Sequence, residues 1–193
     1  KIRADPALAI QPTTRRAALR EGVAHIFGSP WPRTLVILVA VFCVFGASFI
    51  AILPVYARDV LHAGPGGYGA LLSAFGVGAA AGALSIAGVG HRFRREPTAL
   101  WSGVVLGGTL VVLGLVHNLP LALAMLVIAG LCMALNAIMT NTVLQTGAPD
   151  YLRGQVVGFY SFIVVGLVPF GSLQAGWISE RTSTTTAFLI GGT

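Results

Sequence analysis

Residues 119–146 read LPLALAMLVIAGLCMALNAIMTNTVLQT. The stretch carries no charge, and about 20 apolar residues in helix cross the hydrocarbon of a bilayer, so it predicts a membrane-spanning helix. Its second half differs in kind, because Asn136, Thr140, Asn141 and Gln145 crowd into it. Amides in hydrocarbon are costly unless they find partners or water, so this helix must face other helices or a wet cavity. At 100° per residue, Met133, Asn136 and Thr140 share one stripe, and Ala137, Asn141 and Gln145 form a second, turned by roughly 140°. Two polar stripes predict a helix buried in a bundle, with one side free to line a pathway. Hydrogen bonding between helices, without any ligand, accounts for such residues equally well.

The rest of the chain has the same character. Of its 193 residues, 55% are hydrophobic and only 9% charged, against about 25% charged in soluble domains. The mean hydropathy is +0.84. The net charge of +6 does not point to nucleic acid, since the basic residues sit at the ends of apolar runs and form no patch interleaved with aromatics. Cys43 and Cys132 lie far apart inside apolar runs, which implies neither a disulfide framework nor a zinc site. No cofactor motif is present.

Before the apolar runs, residues 1–33 read as a linker followed by an amphipathic helix. From Thr14, an N-cap residue, Leu19, Val23, Ile26 and Phe27 recur on one side, with Arg15, Arg16 and Arg20 away from them. Such a helix lies along an anionic membrane face. Gly28, Ser29 and Pro30 end it, and Trp31 follows as an interfacial aromatic.

Residues 34–56, 68–90, 98–116, 119–146 and 156–179 are free of Lys, Arg, Asp and Glu, and residues 186–193 begin a sixth apolar run that is cut off. The chain therefore reads as a piece of a longer polytopic protein. With the first residue in the cytoplasm, that side collects Lys1, Arg3, Arg15, Arg16, Arg20, Arg33, Arg92, Arg94, Arg95 and Arg153, and the outer side only Arg58 and Arg181. Short basic loops stay inside, so the asymmetry predicts a cytoplasmic N-terminus in a plasma (inner) membrane.

The runs differ from one another. The second is rich in small residues, with Gly78 and Gly82 in GxxxG spacing, and predicts tight packing on a neighbour. The third is bland beyond Ser102 and Thr109 and reads as lipid-facing. The fifth carries Gly154, Gly158, Ser161, Ser172 and Gly176 along a small-residue face, and Tyr160, Leu167 and Gln174 at heptad intervals on another. Pro169 can kink it. The expected packing positions are therefore Gly78, Gly82, Gly158, Ser172 and Gly176. The cavity candidates are Met133, Asn136, Thr140, Tyr160 and Gln174, and Arg92, Arg94, Arg95 and Arg153 form the basic cytoplasmic loops.

The segments LPVYARDVLHAGPGGYGALLSAFGVGAAAGAL, GHRFRR and APDYLRGQVVGFYSFIVVGLVPFGSLQAGWISER resemble the C-terminal half of a major facilitator superfamily transporter. Within it they are most similar to the branch of the enterobactin exporter and macrolide efflux pumps. The resemblance runs from about Glu21 to the end. Of the family's loop signature only Gly90, His91, Arg92, Arg94 and Arg95 remain, without its acidic residue, whereas Pro149-Asp150 and Arg153-Gly154 follow the pattern better.

This resemblance implies an all-α membrane fold, the C-terminal six-helix half of twelve, whose first five spans are the seventh to eleventh. It also implies an alternating-access carrier of a small organic molecule, such as a drug or siderophore, that needs the N-terminal half as partner. The seventh and tenth helices would line the cavity, the eighth and eleventh would meet the other half, and the ninth and twelfth would face lipid. No carboxylate or histidine lies inside a span, so a proton-coupled antiporter would keep its titrating group in the other half. An enzyme is not expected. Gly46-Ala47-Ser48 lacks a histidine base within the membrane, HExxH is absent, and a channel would need a charged ring or carbonyl filter. A lipid flippase of the same superfamily remains the alternative.

Overall fold

The computed structural model describes residues 37, 39–46, 48–89, 94–147, 153–182 and 184–192. The amphipathic helix expected before residue 28, Arg92 and the Pro149-Asp150 pair lie outside the described residues. Among those described there is no strand. The helices are α1 (Val39–Val60), α2 (Gly64–Val89), α3 (Arg95–Leu115), α4 (Leu119–Gly147), α5 (Arg153–Arg181) and the short α6 (Thr184–Gly192). The first five are long and apolar enough to cross a membrane. The protein is thus an all-α polytopic membrane protein.

Most helices run a few residues past the uncharged stretches, because backbone hydrogen bonding does not stop where hydrocarbon does. α1 continues through Arg58 and Asp59, which are exposed and pair with each other at 2.6 Å. α4 starts where the Asn118 side chain accepts a hydrogen bond from Leu121 N at 3.0 Å. That caps one of the N–H groups a helix start leaves without a partner.

α1 is not a uniform helix. Phe42–Gly46 is wound as π-helix, Ser48 sits in a turn, Phe49–Val55 is α-helical and Tyr56–Val60 is again π-helical. Ser48 Oγ donates to the Val44 carbonyl at 2.5 Å and is 3.3 Å from that of Cys43. Pro54, which has no N–H to give to the preceding turn, lies just before the second π segment.

Glycines set the helix contacts. Gly78 lies flush against the Val127 backbone and Gly130 against Phe75. A Cβ on Gly82 would stand 2.8 Å from the Leu131 carbonyl oxygen. Together these three weld α2 to α4. α6 lies on α3, where a Cβ on Gly107 would be 2.6 Å from the Gly192 carbonyl oxygen and one on Gly114 would be 3.0 Å from Phe188 Cβ. The main core gathers where α1, α3, α4 and α6 meet, around Ile52, Leu53, Tyr56, Leu110, Leu126 and Phe188. Outward faces stay apolar: Val77, Leu84, Trp101, Val165 and Leu173 are exposed. That surface suits lipid and would be untenable in water.

Candidate functional site

The polar half of α4 has two sides, and they find different surroundings. Asn136 is buried and turns to α3, where its Nδ2 donates to the Ala99 carbonyl at 2.8 Å. Gly103 lies beside it, where an added Cβ would be 3.4 Å from the same Nδ2. Asn136 and Thr140 together reach the wall of a groove of about 700 Å³ between α1, α3 and α6, whose other sides include Phe42, Gly46, Gly103 and Gly191. Its surface is mostly carbon, with an amide and a hydroxyl as neutral polar groups. Asn141 and Gln145, on the other stripe, are half-buried and bond to each other, Gln145 Nε2 donating to Asn141 Oδ1 at 2.6 Å. Arg153 Nε donates to the Gln145 carbonyl at 3.0 Å, so the start of α5 caps the end of α4.

The other cavity candidates are not brought to that groove. Met133, on the Asn136 stripe, packs half-buried against the main core. Tyr160 packs against Val39, Cys43 and Ile163 on one side and Leu144 and Val156 on the other, joining α1, α4 and α5. Gln174 lies on the side of α5 that faces the break in α1. It shares with Ser48 and Gly171 a void of about 10 Å³, on the order of one water.

That junction is tight because Gly171 presses on α1. A Cβ there would run into Ser48 Oγ and stand 2.5 Å from the Val44 carbonyl oxygen. A Cβ on Gly191 of α6 would likewise be 2.9 Å from the Phe45 carbonyl oxygen. The irregular turn of α1 is thus held between two glycines of other helices. Irregular backbone at membrane depth is tolerated where protein covers it or a cavity meets it, and both conditions hold here.

The expected packing positions on α5 behave differently. Gly158 and Gly176 have nothing within 4 Å of a built Cβ. Ser172 Oγ donates back to Val168 O at 2.9 Å. Any helix contact along that face is with something other than the described residues. Arg94 and Arg95 are exposed at the start of α3.

Three residues that sequence reasoning missed hold the structure together. Tyr56 is buried, and its hydroxyl donates to the carbonyl of Val116 at 2.7 Å, with that of Leu113 at 3.1 Å. These are carbonyls at the end of α3, where helical hydrogen bonding runs out; that of Leu113 also accepts from Val116 N at 3.2 Å. Its ring meets Phe188 edge-on at 5.1 Å, so one side chain ties α1, α3 and α6. Gly130 and Gly171 are the others. A tyrosine at the end of an apolar run reads as an interfacial aromatic, and a single glycine inside a helix gives no periodic signal. Nothing in the sequence marked them.

Residues 3–193 match the family described as transmembrane secretion effector. The chain is 30% identical over 174 residues to the multidrug efflux pump Tap of Mycolicibacterium fortuitum, covering 90% of this chain and 42% of that protein. It is 30% identical over 138 residues to the Tap pump of Mycobacterium bovis, covering 72% of this chain and 32% of that protein. The chain thus spans less than half the length of these curated relatives. No solved structure gives a significant match.

Proposed function

This chain belongs to the transmembrane secretion effector family of the major facilitator superfamily, and from that premise we propose that it forms the C-terminal half of an alternating-access carrier exporting drug-like molecules. The observation that carries the reading is the match over nearly the whole chain, together with two relatives that are multidrug efflux pumps. The role is transport and not catalysis. Antiport with protons would draw on a titrating group in the other half. The basic residues clustered before α1, α3 and α5 support a cytoplasmic N-terminus in the plasma membrane. Cysteine labelling of intact cells by an impermeant reagent checks this: position 62 should react and position 94 should not.

Within this half we assign substrate contact to the groove bordered by Asn136 and Thr140. Its volume of about 700 Å³ lies in the range of small-molecule sites, and an apolar wall with few convergent polar groups is their usual lining. A second reading is favoured by one observation: the last turn of α6, Ile190–Gly192, forms part of the wall. A helix running on in that direction would occupy the groove, and Asn136 would be glue between helices. Efflux per inserted molecule in the full-length protein separates the two. Substrate contact predicts that Asn136→Ala and Thr140→Ala change efflux per molecule several-fold, unequally across a substrate panel, at near-normal abundance. Unchanged efflux per molecule with reduced abundance would return the groove to helix packing.

A further inference from the structure

A second groove, of about 490 Å³, runs along the outward side of the α3–α4 pair. Thr98, Trp101 and Val105 line it from α3, and Ile128, Leu131 and Leu135 from α4. Trp101 is 68% exposed, and one of the two hydroxyls in the wall, that of Ser102, donates to the Ala99 carbonyl at 3.0 Å. A peptide laid here would leave its own N–H and C=O groups unmet in hydrocarbon. An acyl chain has none to satisfy.

In a bilayer an apolar groove does not by itself favour one lipid over another, because hydrocarbon surrounds it anyway. Selection comes from the end of the groove. Arg94 and Arg95 are both exposed and open α3 within one turn of Thr98, whose N–H donates to the Arg94 carbonyl at 3.1 Å. Among the described residues neither guanidinium is in an ion pair; the pair found there is Arg58 with Asp59. In sequence Arg92, Arg94 and Arg95 outnumber the one neighbouring carboxylate, Glu96. A phosphate at that level has guanidinium donors, and its chain has a track to follow.

We propose that the α3–α4 groove binds an anionic glycerophospholipid, with its phosphate on Arg94 and Arg95 and an acyl chain along Trp101, Val105 and Ile128. Each arginine near the surface contributes roughly a five-fold preference for an anionic over a zwitterionic lipid, on the order of twenty-fold for the two. The inference needs only the membrane-spanning fold and stands apart from what is transported.

Full-length protein in vesicles of brominated phosphatidylglycerol mixed with unbrominated phosphatidylcholine, and in the converse mixture, tests it. Bromine quenches a tryptophan it touches, and the difference between wild type and Trp101→Phe isolates the signal of Trp101. Quenching of Trp101 by phosphatidylglycerol should exceed that by phosphatidylcholine by roughly ten- to twenty-fold in relative affinity. Arg94→Gln with Arg95→Gln should bring the ratio near one, Arg94→Lys with Arg95→Lys should keep most of it, and Arg181→Gln should leave it unchanged. Equal quenching by the two lipids in wild type overturns the proposal. So does a preference that survives the double glutamine variant, or one lost as fully in Arg181→Gln.

Discussion

In α2, Gly78 and Gly82 sit against the backbone of α4; in α5, Gly154 and Gly158 have the same four-residue spacing and, like Gly176, would have nothing within 4 Å of an added Cβ. Small residues four apart make a flat strip on which another helix can settle. They define a surface able to make close contact and say nothing of what makes it. α2 meets its partner within this chain, in α4. α5 instead meets α1 through Gly171, a glycine outside its small-residue face. The free face of α5 is then available to a helix beyond the described residues, which accords with a half that works against another half.

The contrast is broken most easily at Gly78. A Cβ there collides with the Val127 backbone, which has no rotamer to change, so the two helices must separate. Gly78→Leu should cost at least the upper end of the usual 1–3 kcal/mol for overpacking and remove most membrane-inserted protein. Gly82→Leu, opposed by the Leu131 carbonyl and the Ala134 methyl at 2.8 and 3.1 Å, should cost somewhat less. Membrane abundance and the thermal midpoint of the purified full-length protein measure both. Wild-type values for Gly78→Leu would mean that α2 and α4 do not pack as described.

The same contrast explains what was legible in the sequence. The spans were visible because hydrocarbon imposes one rule on every residue of a helix, and no alternative pattern satisfies it. The α2 glycines were visible because their spacing is periodic. The break in α1 was not, because Gly46-Ala47-Ser48 is an ordinary sequence in a membrane helix. The turn at Ser48 shows itself through contacts, Ser48 Oγ on the Val44 carbonyl and Gly171 pressed alongside. Asn136 and Asn141 looked alike as buried amides on different stripes. Their surroundings differ because α3 reaches one, whereas the other is met by Gln145 one turn further along its own helix. Tyr56 was hidden for a related reason: its partners, Leu113 and Val116, lie 57 and 60 residues away along the chain.

The smallest effect is the sharpest test, because the same substitution should change sign between the two helices. Glycine inside a helix is less favourable than alanine by about 0.8–1 kcal/mol in peptides, a penalty that α2 bears because Gly78 must let α4 approach. At Gly176 the described structure asks for no such approach. Gly176→Ala therefore adds a methyl to open space and removes backbone freedom from the unfolded chain. It should be neutral or raise stability by up to about 1 kcal/mol, whereas Gly78→Ala already places its methyl in the Val127 backbone and should lower it. The two single variants, compared by thermal midpoint and by membrane abundance in the full-length protein, need no knowledge of the substrate. Loss at Gly176→Ala as large as at Gly78→Ala would show that the α5 face is seated as closely as the α2 face, on a partner outside the described residues.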